Sequence, residues 1–346
     1  VTFVVRNASY VLIEDMELRG AADAANVINI ENSDHIRVRN CDIAGGGTSE
    51  YLPMYSLLSK DDKTGAGMGR YRKKDGSAIN YQGAIRIGSG SSCVVIERCY
   101  IHDPLSRSCS WYYCHPAGPE AVMMACPDHS TVIRWCDFVG ADGLNWNDAV
   151  EGARNFREDG GFNRDADIYG NFMIFANDDC IELDGGQRNV RCFDNRFEGS
   201  LCGVSVQGCM MGPSYVYNNL FSGKGEQFGI VGASIKTSPR NGNLKKVFVN
   251  DNLLWGDGNN EGLSFYKSLI VEARNNVFCG ELQINGRDKS PVSIDENNRF
   301  AVKLDESELP SEFPVRPATF TLSRARVSVG NSREDVVVDI KGTLPE

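Results

Sequence analysis

The chain has 346 residues, a net charge of −10, and 41% hydrophobic against 24% charged residues. That hydrophobic share excludes a disordered chain. No run of about 18 apolar residues is present to span a bilayer, and the acidic balance opposes bulk attraction to nucleic acid or anionic membranes. The 36 glycines and 28 asparagines tolerate left-handed backbone, so the chain turns often.

Val1 opens directly on VTFVV, which reads as a strand. With no initiator Met and no signal segment, the expectation is a processed chain that is secreted, periplasmic or on the cell surface. One pattern then recurs: a branched apolar residue, two residues, Cys or Asn, one residue, and an apolar residue. It appears as IEDMEL (13–18), VRNCDI (38–43), IERCYI (96–101), IRWCDF (133–138) and IYGNFM (168–173). It continues as CFDNRF (192–197), VYNNLF (216–221), VNDNLL (249–254), ARNNVF (273–278) and DENNRF (295–300). The key positions lie 22 to 37 residues apart, with 24 recurring, except for one gap of 58. A second short strand precedes most copies, as in VINI (27–30), AIRI (84–87), AVMM (121–124), CIEL (180–183) and GVSV (203–206).

Strands this short form no stable sheet singly, but stacked coils bury one continuous core. The predicted fold is therefore all-β, a parallel β-helix of about ten coils. Right-handed crossovers are expected, and at about 4.8 Å per coil the rod is about 50 Å long. A β-propeller needs blades of about 40–50 residues and does not fit this period. The helix is expected over 1–301, with an inserted loop over 45–82 and a C-terminal cap or edge-covering tail over 302–346. The Asn column 171, 195, 219, 252, 276 is expected to stack along the axis.

The coil pattern resembles the pectate-lyase-like superfamily of right-handed parallel β-helix proteins, over about residues 1–300. The block from NDAVEG (147–152) to NDDCIELDGG (177–186) also looks like uncharacterised bacterial β-helix proteins. The superfamily includes polysaccharide lyases, glycoside hydrolases, epimerases and phage tailspikes, so fold alone selects no activity.

Cys41, Cys99 and Cys136 occupy the column that Asn takes later, and read as core thiols. For Cys109 with Cys114, and Cys202 with Cys209, a local disulfide is an alternative to free thiols. No CxxC pair exists, which argues against zinc.

The densest acidic region combines 147–152 with 177–186. Registering these coils places Val150 over Ile181, Asp148 over Asp179, and Glu151 over Glu182. Asp178 sits at the corner entering the strand. Ser205 and Lys236 follow in the outward column, while Met123 and Arg86 precede it. Carboxylates one coil apart repel, and persist through protonation, a bound cation or a neutralising Lys. Corner-capping Asp side chains are the structural alternative, although Glu151 and Glu182 lie mid-strand.

Two resemblances bear on chemistry. ND at 147–148, DDCI at 178–181, LCGVSV at 201–206 and SIKT at 234–237 resemble the polygalacturonase-like hydrolases. That likeness implies Asp178 as general acid, Asp148 and Asp179 holding the attacking water, and Lys236 holding substrate. The sequence departs from the family with Cys202 in place of His and Ser234 in place of Arg. The second resemblance is to calcium-dependent lyases. It implies Ca²⁺ on Asp178, Asp179 and Glu182, helped by Asp148 or Glu151, with Lys236 as the base.

Arg86, Glu151, Glu182, Trp146 and Trp111 are the remaining substrate-binding candidates. Tyr112 and Tyr113 could join Trp111 and Trp146 in stacking on sugar rings. Lys60, Lys63, Arg70, Arg72, Lys73 and Lys74 crowd the insertion and could grip an anionic chain. His35, His102, His115 and His129 are scattered and carry no assigned role.

The expected function is cleavage of glycosidic bonds in an anionic polysaccharide or oligosaccharide. Hydrolysis through paired carboxylates is narrowly ahead of Ca²⁺-dependent elimination, and a non-catalytic carbohydrate-binding or adhesin-like helix is the third reading. The hydrolase needs no cofactor.

Overall fold

The computed structural model describes residues 3–20, 26–47, 51–52, 72–73, 82–105, 108, 116, 118–140, 145–222, 225–227, 230–236, 245–255, 261–266, 270–279, 281–285, 292–294, 297–301, 321–322, 325–329, 336–338 and 342–343. They form a parallel β-helix, the architecture implied by the pectate-lyase-like resemblance. Two sheets, here A and C, have ten parallel strands each. Sheet B has twelve, of which the last two are antiparallel additions. No helix among the described residues is long and apolar enough to cross a membrane.

Alternation drives each coil inward. In sheet A, Ile28, Ile85, Val122, Val150, Ile181, Val204 and Ile235 pair in one column and are fully buried. Every coil adds one such layer, so a single core runs the length of the rod.

Each coil holds three strands, where at least two were expected. The recurring motif is itself two strands joined by a corner. In VRNCDI, Asp34–Arg39 belongs to sheet B and Asp42–Ala44 to sheet C. The residue before the key Cys or Asn breaks the strand by adopting a left-handed backbone. Asn40, Arg98, Trp135, Gly170, Asp194, Asn218, Asp251 and Asn275 do this with φ of 51–64°. Periodicity does not show the corner because Arg and Trp stand in it as well as Asn, Asp and Gly.

The Asn column stacks as expected. The backbone N–H groups of Asn171, Asn195, Asn219, Asn252 and Asn276 each donate to the Oδ1 of the Asn one coil on, at 3.0–3.1 Å. The side-chain amides donate to the same oxygens at 2.8–3.0 Å. They also donate to carbonyls of the preceding coil, for example Ile168 O at 3.0 Å from Asn195. Cys136 joins through its backbone N–H, which donates to Asn171 Oδ1 at 3.0 Å. Cys41, Cys99, Cys136 and Cys209 are buried free thiols, and no disulfide joins Cys202 to Cys209. Cys109 and Cys114 lie outside the described residues.

Two strands of the expected insertion, Tyr51–Leu52 and Arg72–Lys73, pair antiparallel. Lys60, Lys63, Arg70 and Lys74 lie outside the described residues. In the tail, Ala325–Val329 pairs antiparallel with Ser9–Glu14 at the first-coil edge of sheet B, an edge otherwise open to further strands.

Asn195→Ala removes the acceptor of the Asn171 N–H inside the core and one donor to the Ile168 carbonyl. The expected cost is roughly 1–3 kcal/mol for the orphaned N–H, read as a lower urea midpoint. Asn195→Cys, the residue used at this position by the earlier coils, costs less.

Candidate functional site

The outer face of sheet A carries the acidic column. The strands pair Val150 with Ile181, Glu182 with Ser205, Ser205 with Lys236, and Met123 with both Arg86 and Glu151. Asp148 lies over Asp179, whose backbone N–H donates to Asp148 Oδ1 at 2.7 Å. Asn147 Nδ2 donates to Asp148 Oδ2 at 2.6 Å. Asp178, Asp179 and Lys236 converge, with Lys236 Nζ 3.2 Å from Asp178 Oδ1 and 2.9 Å from Asp179 Oδ2. Asp179 Oδ1 is buried and has no hydrogen-bond partner.

Two carboxyls absent from the sequence-derived set complete the array. Glu120 Oε2 accepts the Asp148 N–H at 2.8 Å. Asp184 Oδ1 accepts from Ser205 Oγ at 3.0 Å. Extending the Val150 register one coil back through Val122 brings Glu120 beside Asp148, so its signal was present in GPEAVMM. Asp184 is the acid of the LDGG corner, where turn-making explains an Asp without further role.

A loop over 153–163 covers the array from outside. Asn155 Nδ2 donates to Glu182 Oε1 at 2.8 Å and to Asp184 Oδ2 at 3.3 Å. Phe162 inserts into the core, fully buried. The loop lies backbone against backbone: a Cβ on Gly161, where φ is +57°, would sit 1.7 Å from the Asp184 carbonyl oxygen. Relative exposures are only 4% for Asp148, 4% for Asp178 and 2% for Asp179, while Glu182 is half-buried.

Burial sets the protonation of the array. It pushes Glu120 well above the usual carboxylate range, aided by the neighbouring Glu151 and Asp148 charges. Burial, then Asp178, Glu151 and Asp179, do the same to Asp148. Burial raises Glu151, although the neighbouring Glu120 carboxyl opposes the rise. Asp179 rises through burial even though Lys236 opposes it. Burial and Asp184 raise Glu182. Asp184 is pushed up to about 6 by burial, which its bond from Ser205 only partly offsets. Lys236 moves the other way from a usable base: burial disfavours its charge, but Asp178 and Asp179 outweigh burial and hold it well above its ordinary value. A Lys held protonated cannot abstract a proton.

The donor sets differ from the expected Ca²⁺ site. Ligand atoms of Asp178, Asp179 and Cys202 come within 4.8 Å of one another, without Glu182. The Lys236 ammonium already stands at both Asp residues, and a thiol is a poor ligand for a hard cation. Glu120, Asp148 and Glu151 form a second group within 4.8 Å, an all-oxygen set that suits a hard cation. Two Asp148 oxygens and one Glu120 oxygen of that set already accept N–H donors.

Other candidates are not gathered here. Arg86 Nη1 turns to Glu31 Oε1 at 3.1 Å and Asn29 Oδ1 at 3.2 Å, with buried Met123 between it and Glu151. Trp146, expected to stack on sugar, is fully buried in the core with its indole N–H unpartnered. Trp111, Tyr112 and Tyr113 lie outside the described residues. His102, which carried no role, clamps three coils: Nε2 lies 2.7 Å from buried Asp42, which also accepts from Arg19 at 2.8 Å.

No family model matches the chain, and no curated protein matches it. Among solved structures, the crystal structure of PfbA, a surface adhesin of Streptococcus pneumoniae, is similar with a TM-score of 0.46 and 14% identity. The match covers 82% of this chain and 61% of that one, so the chain spans about three fifths of its length. The β-helix assignment rests on the sheet topology itself.

The pH dependence follows from Asp184. Its folded value of about 6 lies above the ordinary 3.8, so the folded state binds the proton more tightly. Its contribution is complete below about pH 4 and is lost as pH rises through about 6. Asp184→Asn is expected to flatten that fall by about 3 kcal/mol, read from urea midpoints at acidic and neutral pH.

Proposed function

We propose that the chain is a non-catalytic, carbohydrate-binding β-helix of the adhesin-like kind. The observation that carries this reading is the closure of the acidic column. Both Asp148 oxygens accept internal N–H donors, Lys236 is shared between Asp178 and Asp179, and the three acids are 2–4% exposed. General acid–base chemistry needs carboxyls within hydrogen-bond reach of substrate or water. An exposed, ligand-facing role at a cell surface or outside the cell belongs to the same proposal.

Glycosidic hydrolysis is the second reading, favoured by the convergence of Asp178, Asp179 and Lys236 from the ND, DDCI and SIKT segments. In it Asp178 is the general acid, Asp148 and Asp179 hold the water, and Lys236 holds substrate. Its difficulty is spacing. Asp178 and Asp179 ligand oxygens lie within 4.8 Å, tighter than the roughly 6.5–9.5 Å that admits water in an inverting pair.

Incubation with a panel of acidic and neutral polysaccharides, with and without EDTA, separates the readings. The binder retains saccharide on the immobilised chain, with no new reducing ends and no ultraviolet absorbance from unsaturated uronate. Reducing ends that vanish in Asp179→Asn and Lys236→Ala would overturn it in favour of hydrolysis. Unsaturated product that vanishes with EDTA would overturn it in favour of the lyase.

A further inference from the structure

The corners between sheets B and C, and those following sheet C, hold two residues that do not belong there by backbone preference. Left-handed backbone suits Gly, Asn and Asp, and a bulky residue in it is a true outlier. Trp135 adopts φ of 55° and Phe175 φ of 61°, and both are exposed, at 42% and 47%. Such strain costs of order 1–3 kcal/mol and would be relieved by the residues that other coils use.

The next coil makes room for each ring. A Cβ on Gly170 would lie 2.6 Å from Trp135 Cδ1, and one on Gly199 would lie 2.7 Å from Phe175 Cδ1 and Cε1. Between the two corners runs Phe172–Ile174, whose outward residues Phe172 and Ile174 are half-buried. Four residues separate Gly170 from Phe175, a reach of at most about 18 Å that the corner at Gly170 shortens. That span suits an oligosaccharide laid across the strand.

Charge selects among saccharides. The Arg98 guanidinium lies 5.3 Å from the Trp135 ring centre and Arg134 4.4 Å. Arg134 is held by Glu97 at 2.5 Å. Arg98 has no carboxylate partner among the described residues, so its planar donors remain for an anion.

We propose that the outer face of sheet C between Trp135 and Phe175 binds a saccharide chain, and that Arg98 gives it a preference for acidic sugars. The proposal rests on the carbohydrate-binding reading above and adds its place and ligand class. Aromatic rings supply apolar contact for sugar C–H faces, and a guanidinium supplies paired donors for a carboxylate.

The test uses a uronic-acid oligosaccharide and its carboxyl-reduced counterpart, titrated into the full chain by calorimetry. Trp135→Asn and Arg98→Asn install the residue that positions 40, 218 and 275 carry at the same corner, and Phe175→Asn installs one that tolerates left-handed backbone, so the fold survives, checked by urea midpoint. The aromatic variants are expected to weaken binding of both probes about tenfold or more. Arg98→Asn is expected to weaken only the acidic probe. Wild-type binding that is unchanged in both aromatic variants would overturn the site and leave the carbohydrate-binding reading standing. Equal wild-type affinity for the two probes would overturn the acidic preference. No binding of any saccharide by the wild-type chain would overturn both proposals.

Discussion

The register between coils is the constraint on which everything else depends. A parallel β-helix fixes each residue above its equivalent one coil earlier, and slippage by one residue would turn core side chains outward. The buried Asn column makes slippage costly. Each amide bonds forward to the next Asn and backward to a carbonyl, so a shift would orphan several buried groups at once. Where Asn gives way to Cys41, Cys99 and Cys136, the thiols fill the same inward space with weaker bonds.

That register also explains why seven carboxyls meet on one face. Glu120, Asp148, Glu151, Asp178, Asp179, Glu182 and Asp184 are far apart in sequence, but the coils stack them. Lys236 relieves the Coulomb repulsion at the Asp178–Asp179 end, and burial holds Glu120, Asp148 and Glu182 well above the usual carboxylate range. The loop over 153–163 completes the enclosure, with Asn155 donating to Glu182 and Asp184. On the proposed reading the array is an internal polar network, in which Asp179 Oδ1 has no hydrogen-bond partner.

Much of this was legible from the amino acids. The 24-residue recurrence gave the solenoid, and aligning Val150 with Ile181 was enough to stack Asp148 on Asp179. Three things were hidden. The third strand of each coil is hidden because its corner is occupied by Trp135 and Arg98 as well as by Asn218. Trp146 reads as a sugar platform and lies in the core because burial depends on loops packed from other coils. The cover over the acids depends on contacts such as Gly161 against the Asp184 carbonyl, which no local pattern encodes.

The central claim is that the acidic column is enclosed, with burial holding Glu120, Asp148 and Glu182 well above the usual carboxylate range, instead of open. Infrared spectroscopy of the folded chain at neutral pH reads this directly. The account predicts a protonated carboxyl band that exchanges slowly in heavy water and diminishes in Glu120→Gln. A spectrum with only ionised carboxylates, or a carboxyl band that exchanges at once, would contradict it and return the column to the status of an open site.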